Sequence, residues 1–120
     1  MLGTLHPERG VDLVPAVFAV DGDLVWIPID AVKPKASARL QRLANIERDP
    51  RVTLLTERYD DDWSQLWWVR ATGRARETDA RQLARARTGL AARYPAYADP
   101  ASITTAIAVT VERWSGWTAR

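Results

Sequence analysis

The first third of the chain alternates short apolar runs with turn residues, a pattern that predicts antiparallel strands. Residues 2–5 and 11–20 form two such runs, and Asp21-Gly22 is a two-residue hairpin signal that leads into residues 23–30. Because residues 11–20 are apolar at both alternating positions, we expect cover on both faces of this strand. The chain is therefore predicted to open as a β-meander.

Two prolines fall inside these predicted strands. Pro15 and Pro28 each lack the N–H that a sheet ladder needs, so we expect an edge or a gap at both points. A ligand could occupy such a gap. The alternative is that the prolines only mark the margins of their strands.

Two helices are predicted between the later strands. Ser37 can cap a helix that runs to about Arg48, and a second helix over residues 79–94 stops at Pro95. Their predicted buried stripes comprise Leu40, Leu43 and Ala44 in the first helix and Leu83, Leu90 and Tyr94 in the second.

Three further strands are predicted over residues 52–59, 66–77 and 103–114. Trp67 and Trp68 are adjacent on one of them and must point to opposite faces, with Trp68 on the face of Arg70. In the last strand Trp114 is out of phase with the apolar stripe, so we expect it to face a second subunit or a ligand. That stripe comprises Ile103, Ile107, Val109 and Val111.

Six predicted strands joined by mostly short connections favour one antiparallel barrel over a parallel α/β sheet. We therefore predict a single domain over residues 1–120, mostly β with short helices. Closure of a barrel also removes exposed sheet edges.

Composition narrows the chemistry. The chain has no cysteine and one histidine, His6, which argues against disulfides, thiolate nucleophiles and metal clusters. No apolar run is long enough to span a bilayer and no secretory pattern opens the chain, so a cytoplasmic protein without membrane contact is expected.

The net charge is +2, carried mostly by arginine, which suits an anionic ligand. Six tryptophans exceed what one core is expected to need and indicate a flat ligand or a subunit interface.

The clearest candidate site is a group of cations around the start of the first helix: Lys33, Lys35, Arg39 and Arg42. A helix N-terminus adds unpaired N–H groups and a favourable dipole, so these residues could form a phosphate cradle. The alternative is that they are ordinary solvated charges. Arg70, Arg74 and Arg76 could extend the basic wall, but an outward strand face carries such charges for solubility alone.

No nucleophile with an adjacent base is visible, so an enzyme of this sequence would need a cofactor for the difficult step. Trp68 beside Arg70 suits an extended ring system that carries negative groups.

These residues resemble the pyridoxamine-phosphate-oxidase-like FMN-binding split barrels, specifically the branch that uses the deazaflavin coenzyme F-420. The resembling stretches are residues 14–20 (VPAVFAV), 33–35 (KPK), 43–46 (LANI), 49–52 (DPRV), 59–70 (YDDDWSQLWWVR) and 111–117 (VERWSGW). The run around Trp63 to Arg70 is the most specific of them. The family normally has a helix ahead of its first strand, whereas this chain opens directly on the residues of that strand.

The resemblance implies a six-stranded antiparallel split barrel that forms obligate homodimers, with two cofactor sites built from both subunits. Arg42 matches the basic helical residue that grips the cofactor phosphate, and Trp68 and Trp114 match residues that approach the cofactor from the two subunits. The remaining implied contacts are Lys33, Lys35 and Arg39 in the same cradle, and Pro15, Val17, Ile27 and Pro28 along the ring.

The function that follows is hydride transfer between coenzyme F-420 and a small organic substrate. Composition and spacing do not choose between coenzyme F-420 and FMN. A non-catalytic protein that binds a flavin, a deazaflavin or haem is the rival from another class. Nucleic-acid binding would show steep salt dependence and is disfavoured by the low net charge.

Overall fold

A computed structural model describes residues 1–30 and 36–120, with the side chains of residues 30 and 36–40 outside the description. The strands are β1 (Leu2–His6), β2 (Gly10–Val14), β3 (Ala19–Asp21), β4 (Leu24–Asp30), β5 (Arg51–Arg58), β6 (Trp67–Glu77) and β7 (Ile103–Thr118). The helices are α1 (Ala36–Arg48) and α2 (Ala80–Arg93), with short 3₁₀ turns at Trp63–Gln65, Pro95–Tyr97 and Pro100–Ser102.

All seven strands belong to one antiparallel sheet in the order β2-β1-β5-β6-β7-β4-β3. The terminal strands β2 and β3 are not paired with each other, so the barrel stays split. This confirms the predicted mostly β split-barrel fold. The described chain has seven strands instead of six, because the predicted strand over residues 11–20 divides into β2 and β3.

The division falls where Pro15 interrupts the apolar run, as the missing N–H predicts. Pro28 lies in β4 opposite Ala106 of β7, beyond the last residue that pairs with β3. Both prolines therefore stand at a gap or an edge of the sheet, as expected. The predicted cover on both faces of residues 11–20 is absent within the described chain, since Val11 is 58% and Leu13 is 65% exposed.

Two hydrophobic clusters lie on the two sides of the sheet. The larger one fills the barrel, and α1 contributes Leu43 and Ile46 to it. The second lies under α2, where Trp26 and Leu90 are fully buried. An Asp79–Gln82 capping box starts α2 and Pro95 follows its end. No helix in the described ranges is long and apolar enough to cross a membrane.

Helix α1 begins at Ala36, one residue before the predicted cap at Ser37, and ends at Arg48 as predicted. Its buried stripe is rotated from the prediction, since Ala44 is exposed and Asn45 is buried. The Asn45 side-chain amide donates to Thr4 Oγ1 at 2.9 Å and to Asp12 Oδ2 at 3.0 Å. These two bonds satisfy a buried amide and tie α1 to the β1–β2 hairpin.

Replacing Gly89 with alanine is expected to stabilise the protein by about 0.5–1 kcal/mol, because alanine is the better helix former. The added methyl would meet Trp26 Cδ1 at 3.5 Å and Ala19 Cβ at 3.8 Å, both ordinary contact distances. Urea unfolding followed by tryptophan fluorescence measures the change. A lower midpoint would show that the Trp26 ring cannot accept the methyl.

Candidate functional site

A β-bulge sets the direction of Trp114. The ladder between β6 and β7 pairs Thr72 with Arg113 and Gly73 with Val111, so Glu112 is an extra residue on β7. Trp114 pairs with Ala71 and therefore lies on the same inward face as Ile107, Val109 and Val111. Ile103, the fourth residue of the predicted stripe, lies instead in the cluster under α2, because the pairing of β4 with β7 shifts register between Ile29 and Asp30. The prediction that Trp114 is out of phase with that stripe is wrong, because the extra residue restores the phase.

Trp114 helps to line the open end of the barrel. It borders a small cavity of about 40 Å³ with Phe18, Val20, Thr56 and Val69, which we call the inner mouth. The cavity continues inward to Val25, Leu54 and Ala71. Thr56 supplies the only hydroxyl among these side chains, and none of them carries a charge. Trp114 is 46% exposed, so it offers a free indole surface at this opening.

Residues 15–18 connect β2 to β3 without joining either strand, and we call them the strand break. The side chains of Ala16 and Phe18 pack against the barrel core, whereas Pro15 and Val17 are exposed. Within the described part of the chain, the N–H groups of Ala16 and Val17 have no hydrogen-bond partner. The strand break therefore presents two unused main-chain donors beside an exposed valine.

Aromatic and cationic side chains meet on the opposite, outward face of β6 and β7. Trp68 pairs directly with Trp117 across the ladder, and the Arg70 guanidinium lies 5.1 Å from the centre of the Trp68 ring. Arg70 Nε also donates to Ser115 Oγ at 3.3 Å. A groove of about 630 Å³, the outer groove, is lined by Met1, Leu55, Glu57, Arg58, Tyr59, Leu66, Trp67, Trp68, Arg70 and Trp117.

The outward face continues as an apolar surface across β5, β1 and β2. A second hollow of about 580 Å³ adjoins the outer groove through Met1, Leu55 and Arg70. Its apolar lining is completed by Gly3, Leu5, Val11, Leu13 and Val52, and its polar lining comprises Arg51, Thr53, Thr72 and Glu112 beside Arg70. Exposed apolar surface of this extent and continuity is typical of an interaction site.

Ion pairs neutralise most of the arginines along this face. Arg51 donates to Asp49 at 3.0 and 2.6 Å, and these hydrogen bonds lower the pKa of the Asp49 carboxyl to about 2. Arg58 lies 3.4 Å from Asp60. Among the described arginines that line the two hollows, Arg70 is the one without a carboxylate partner. Among these arginines, Arg70 is therefore the one whose positive charge is available to bind an anion on this face.

The predicted phosphate cradle is described only in part. Lys33 and Lys35 lie outside the described residues, and Arg39 belongs to α1 with its side chain outside the description. Arg42 lies in α1 and is half-buried.

The other predicted contacts fall in different environments. Ile27 is 1% exposed and packs in the barrel core, so its side chain is not on a surface that a ligand could reach. Pro28 is buried, while Pro15 and Val17 are exposed in the strand break. Trp68 and Trp114 lie on opposite faces of the sheet, so one flat ligand cannot contact both indoles of the same chain.

Among the residues that the structure describes, Trp68 is the one lining residue of the outer groove that was also a predicted site residue, and its two contacts Arg70 and Trp117 were not predicted. Arg70 was given the solvated reading, although its position two residues after Trp68 already placed both side chains on one face. Trp117 had no predicted role, because its pairing with Trp68 depends on the bulge at Glu112.

Comparisons with known proteins agree with the observed architecture. The family model described as pyridoxamine 5'-phosphate oxidase matches residues 1–118. A search of curated proteins gives no match. Among solved structures, conserved hypothetical protein Rv2991 from Mycobacterium tuberculosis is 24% identical with a TM-score of 0.76, and the match covers 99% of this chain and 76% of that one.

Two further structures share the fold at lower identity. A FAD-binding protein from Mesorhizobium loti is 15% identical with a TM-score of 0.65, covering 96% of this chain and 79% of that one. A heme binding protein from Mycobacterium smegmatis is 18% identical with a TM-score of 0.64, covering 98% of this chain and 51% of that one. At these identities the likeness concerns the fold alone.

Proposed function

This chain belongs to the pyridoxamine 5'-phosphate oxidase family, and we propose on that premise that it is an oxidoreductase that uses coenzyme F-420. FMN is the alternative cofactor. The substrate that we propose is a small organic molecule that exchanges a hydride with the cofactor.

The observation that carries this proposal is the strand break. Two N–H donors, those of Ala16 and Val17, have no partner among the described residues, at a point where the sheet opens to solvent. A flat heterocycle with ring nitrogens and carbonyl oxygens can accept such donors, and the apolar surface of Val17 can lie against its ring. The residues present therefore fit a flavin-type ring.

The remaining groups supply binding and orientation. Bound coenzyme F-420 supplies the hydride transfer itself. Arg42 would hold the cofactor phosphate together with Lys33, Lys35 and Arg39. Arg70, which has no carboxylate partner among the described residues, would stabilise further negative charge on the ligand.

We propose that the working unit is a homodimer. Trp68 pairs with Glu57 near the end of β5. Glu57 lies about 20 Å along this strand from Arg51, the residue at which β5 begins after α1, so Trp68 is far from that end of α1 in its own chain. Trp68 and Trp114 also face opposite sides of the sheet. Two subunits joined through the apolar outward face would bring the Trp68 indole of one chain to the strand break of its partner. Sedimentation equilibrium tests this, and a monomer at micromolar concentration would contradict it.

A fluorescence titration of purified protein with coenzyme F-420 and with FMN tests the choice of cofactor. We expect tighter binding of coenzyme F-420. Tighter binding of FMN would overturn that choice and leave a flavin enzyme of the same family. Binding of neither would overturn the proposed function.

Replacing Arg42 with alanine is expected to weaken cofactor binding by about 1–3 kcal/mol, the usual scale for a lost charged hydrogen bond. The same titration measures the change. Arg81→Ala is the matched control, since it removes one positive charge from an exposed position on α2. Equal affinity of the wild type and the Arg42 variant would remove Arg42 from the site.

A non-catalytic role is the second candidate, because one protein of the same fold is a heme binding protein. Such a protein would bind coenzyme F-420, FMN or haem without turnover. A panel of organic acceptors offered to the protein with reduced coenzyme F-420 separates the two roles. Oxidation of the reduced cofactor above the protein-free rate supports the enzyme, whereas binding without oxidation supports the carrier.

A further inference from the structure

The C-terminal end of α2 is fastened to the strand break. The Tyr94 hydroxyl accepts from the Phe18 N–H at 3.3 Å and donates to the Phe18 carbonyl at 3.1 Å. Arg93 Nη1 donates to the same carbonyl at 2.5 Å, and its guanidinium lies 4.5 Å from the Phe18 ring centre and 5.0 Å from the Tyr94 ring centre. Two side chains of α2 thus satisfy both main-chain polar groups of Phe18.

These contacts replace a missing strand. A residue inside a sheet has its N–H and carbonyl paired by neighbouring strands, but Phe18 lies outside both β2 and β3. On the other side of the break, Val14 is fixed by its pairing with Leu2. The peptides of Ala16 and Val17 are therefore held between a ladder at one end and the α2 contacts at the other.

The helix itself is rigidly placed. Leu90 of α2 is fully buried and Tyr94 packs in the same cluster, with the Tyr97 ring edge-on at 6.1 Å. Movement of the Phe18 peptide would have to break its contacts with this packed cluster. The position of the strand break is therefore set by α2, an element that contributes no lining residue to the inner mouth or the outer groove.

We propose that Tyr94 and Arg93 are positioning residues that hold the Ala16 and Val17 N–H groups in place for the cofactor ring. This inference rests on the proposed function, and it adds α2 to the parts of the fold that determine cofactor affinity. The two side chains act through Phe18 and do not themselves touch the ligand.

The test is Tyr94→Phe, which keeps the aromatic packing and removes the hydroxyl that serves both Phe18 groups. We expect cofactor binding to weaken roughly 2- to 13-fold, the range for one lost hydrogen bond. We also expect faster amide exchange at Phe18 of the cofactor-free protein, because its N–H loses the Tyr94 hydroxyl, and a shift in the absorption maximum of the bound cofactor. Thr88→Ala is the control, since it removes a hydroxyl from an exposed position on α2.

Arg93→Lys and Arg93→Ala form a second pair. Lysine keeps a charged donor for the Phe18 carbonyl, whereas alanine does not. The cofactor affinity of Arg93→Lys should therefore be closer to the wild-type value than the cofactor affinity of Arg93→Ala. This rescue would not follow if the effect came from general loosening of α2.

The outcomes are distinguishable. Faster exchange in Tyr94→Phe with unchanged affinity and an unchanged spectrum would overturn the positioning role and leave a purely structural contact. Unchanged exchange would show that the Tyr94 hydroxyl does not hold the strand break. Wild-type protein that binds neither cofactor would overturn the proposed function and the ligand role of Tyr94 together, while the exchange measurement would still report whether the contact exists.

Discussion

Replacing Gly73 with alanine is expected to destabilise the protein by about 3 kcal/mol or more, the upper range for an extra methyl in a tightly packed place. A β-carbon on Gly73 would lie 2.0 Å from the Thr110 carbonyl oxygen and 3.0 Å from Val111 Cα. Both are main-chain atoms of the neighbouring strand, so no side-chain rotation relieves the overlap. Urea unfolding followed by tryptophan fluorescence measures the loss.

Gly3→Ala is the matched control for this prediction. There the added methyl would meet the ends of two side chains that are exposed in the single chain, Leu13 Cδ2 at 3.2 Å and Val11 Cγ1 at 3.4 Å. The nearest main-chain atom, the Thr53 carbonyl oxygen, would be at an ordinary contact distance of 3.6 Å. We expect a cost of under about 1 kcal/mol for this change. Similar losses in the two variants would mean that the close approach of β6 and β7 at the bulge does not limit Gly73.

The Gly73→Ala variant also tests what holds Trp114 at the inner mouth. Gly73 lies across the ladder from the bulge that directs Trp114 inward. If the strands separate to admit the methyl, Trp114 should lose its place at the inner mouth. A change in tryptophan emission before the unfolding transition would report that displacement.

Replacing Trp68 with alanine is expected to weaken cofactor binding by about 2–3 kcal/mol, or roughly 30- to 150-fold in Kd, the scale of a buried aromatic anchor. The indole pairs with Trp117 and lies against the Arg70 guanidinium, so its loss opens the centre of the outer groove. A fluorescence titration with the better-binding cofactor measures the change.

Trp63→Ala is the control for this variant. Trp63 belongs to the same segment but is 72% exposed and is not among the residues that line the outer groove. The Trp63→Ala variant should bind the cofactor with the affinity of the wild type. Sedimentation shows whether the Trp68 variant keeps the oligomeric state of the wild type, and an unchanged oligomeric state with wild-type cofactor affinity would exclude Trp68 from the ligand.

The two largest expected effects depend on one structural feature. The extra residue Glu112 makes the inward stripe of β7 continue through Trp114, and it places Trp117 opposite Trp68 on the outward face. Gly73 permits this arrangement because it carries no β-carbon. Stability and the placement of Trp68, Trp114 and Trp117 are therefore linked at a single point of the sheet.

Much of the fold follows from short-range physics that the sequence displays directly. The missing N–H of Pro15 predicts the break between β2 and β3, and Pro95 predicts the end of α2. The split-barrel architecture followed from the family resemblance, which the match over residues 1–118 bears out. The opposite directions of Trp67 and Trp68 follow from the two-residue period of a strand.

Other features depend on residues that are far apart along the chain. Asn45 is buried because Thr4 and Asp12 accept from its amide, and no periodicity in α1 indicates this. The direction of Trp114 depends on an extra residue that only the pairing of β7 with Gly73 reveals. The contact between Tyr94 and Phe18 joins positions 76 residues apart.

The sequence by itself therefore determined most of the strands and helices and the end of α2, because propensity, capping and proline act within a few residues. It did not determine the end of β7, which reaches Thr118 instead of residue 114. The tertiary structure decided which face each tryptophan occupies, which polar groups are buried, and what holds the strand break. Those outcomes are set by partners across the sheet, and a bulge of one residue is enough to reverse an assignment based on alternation alone.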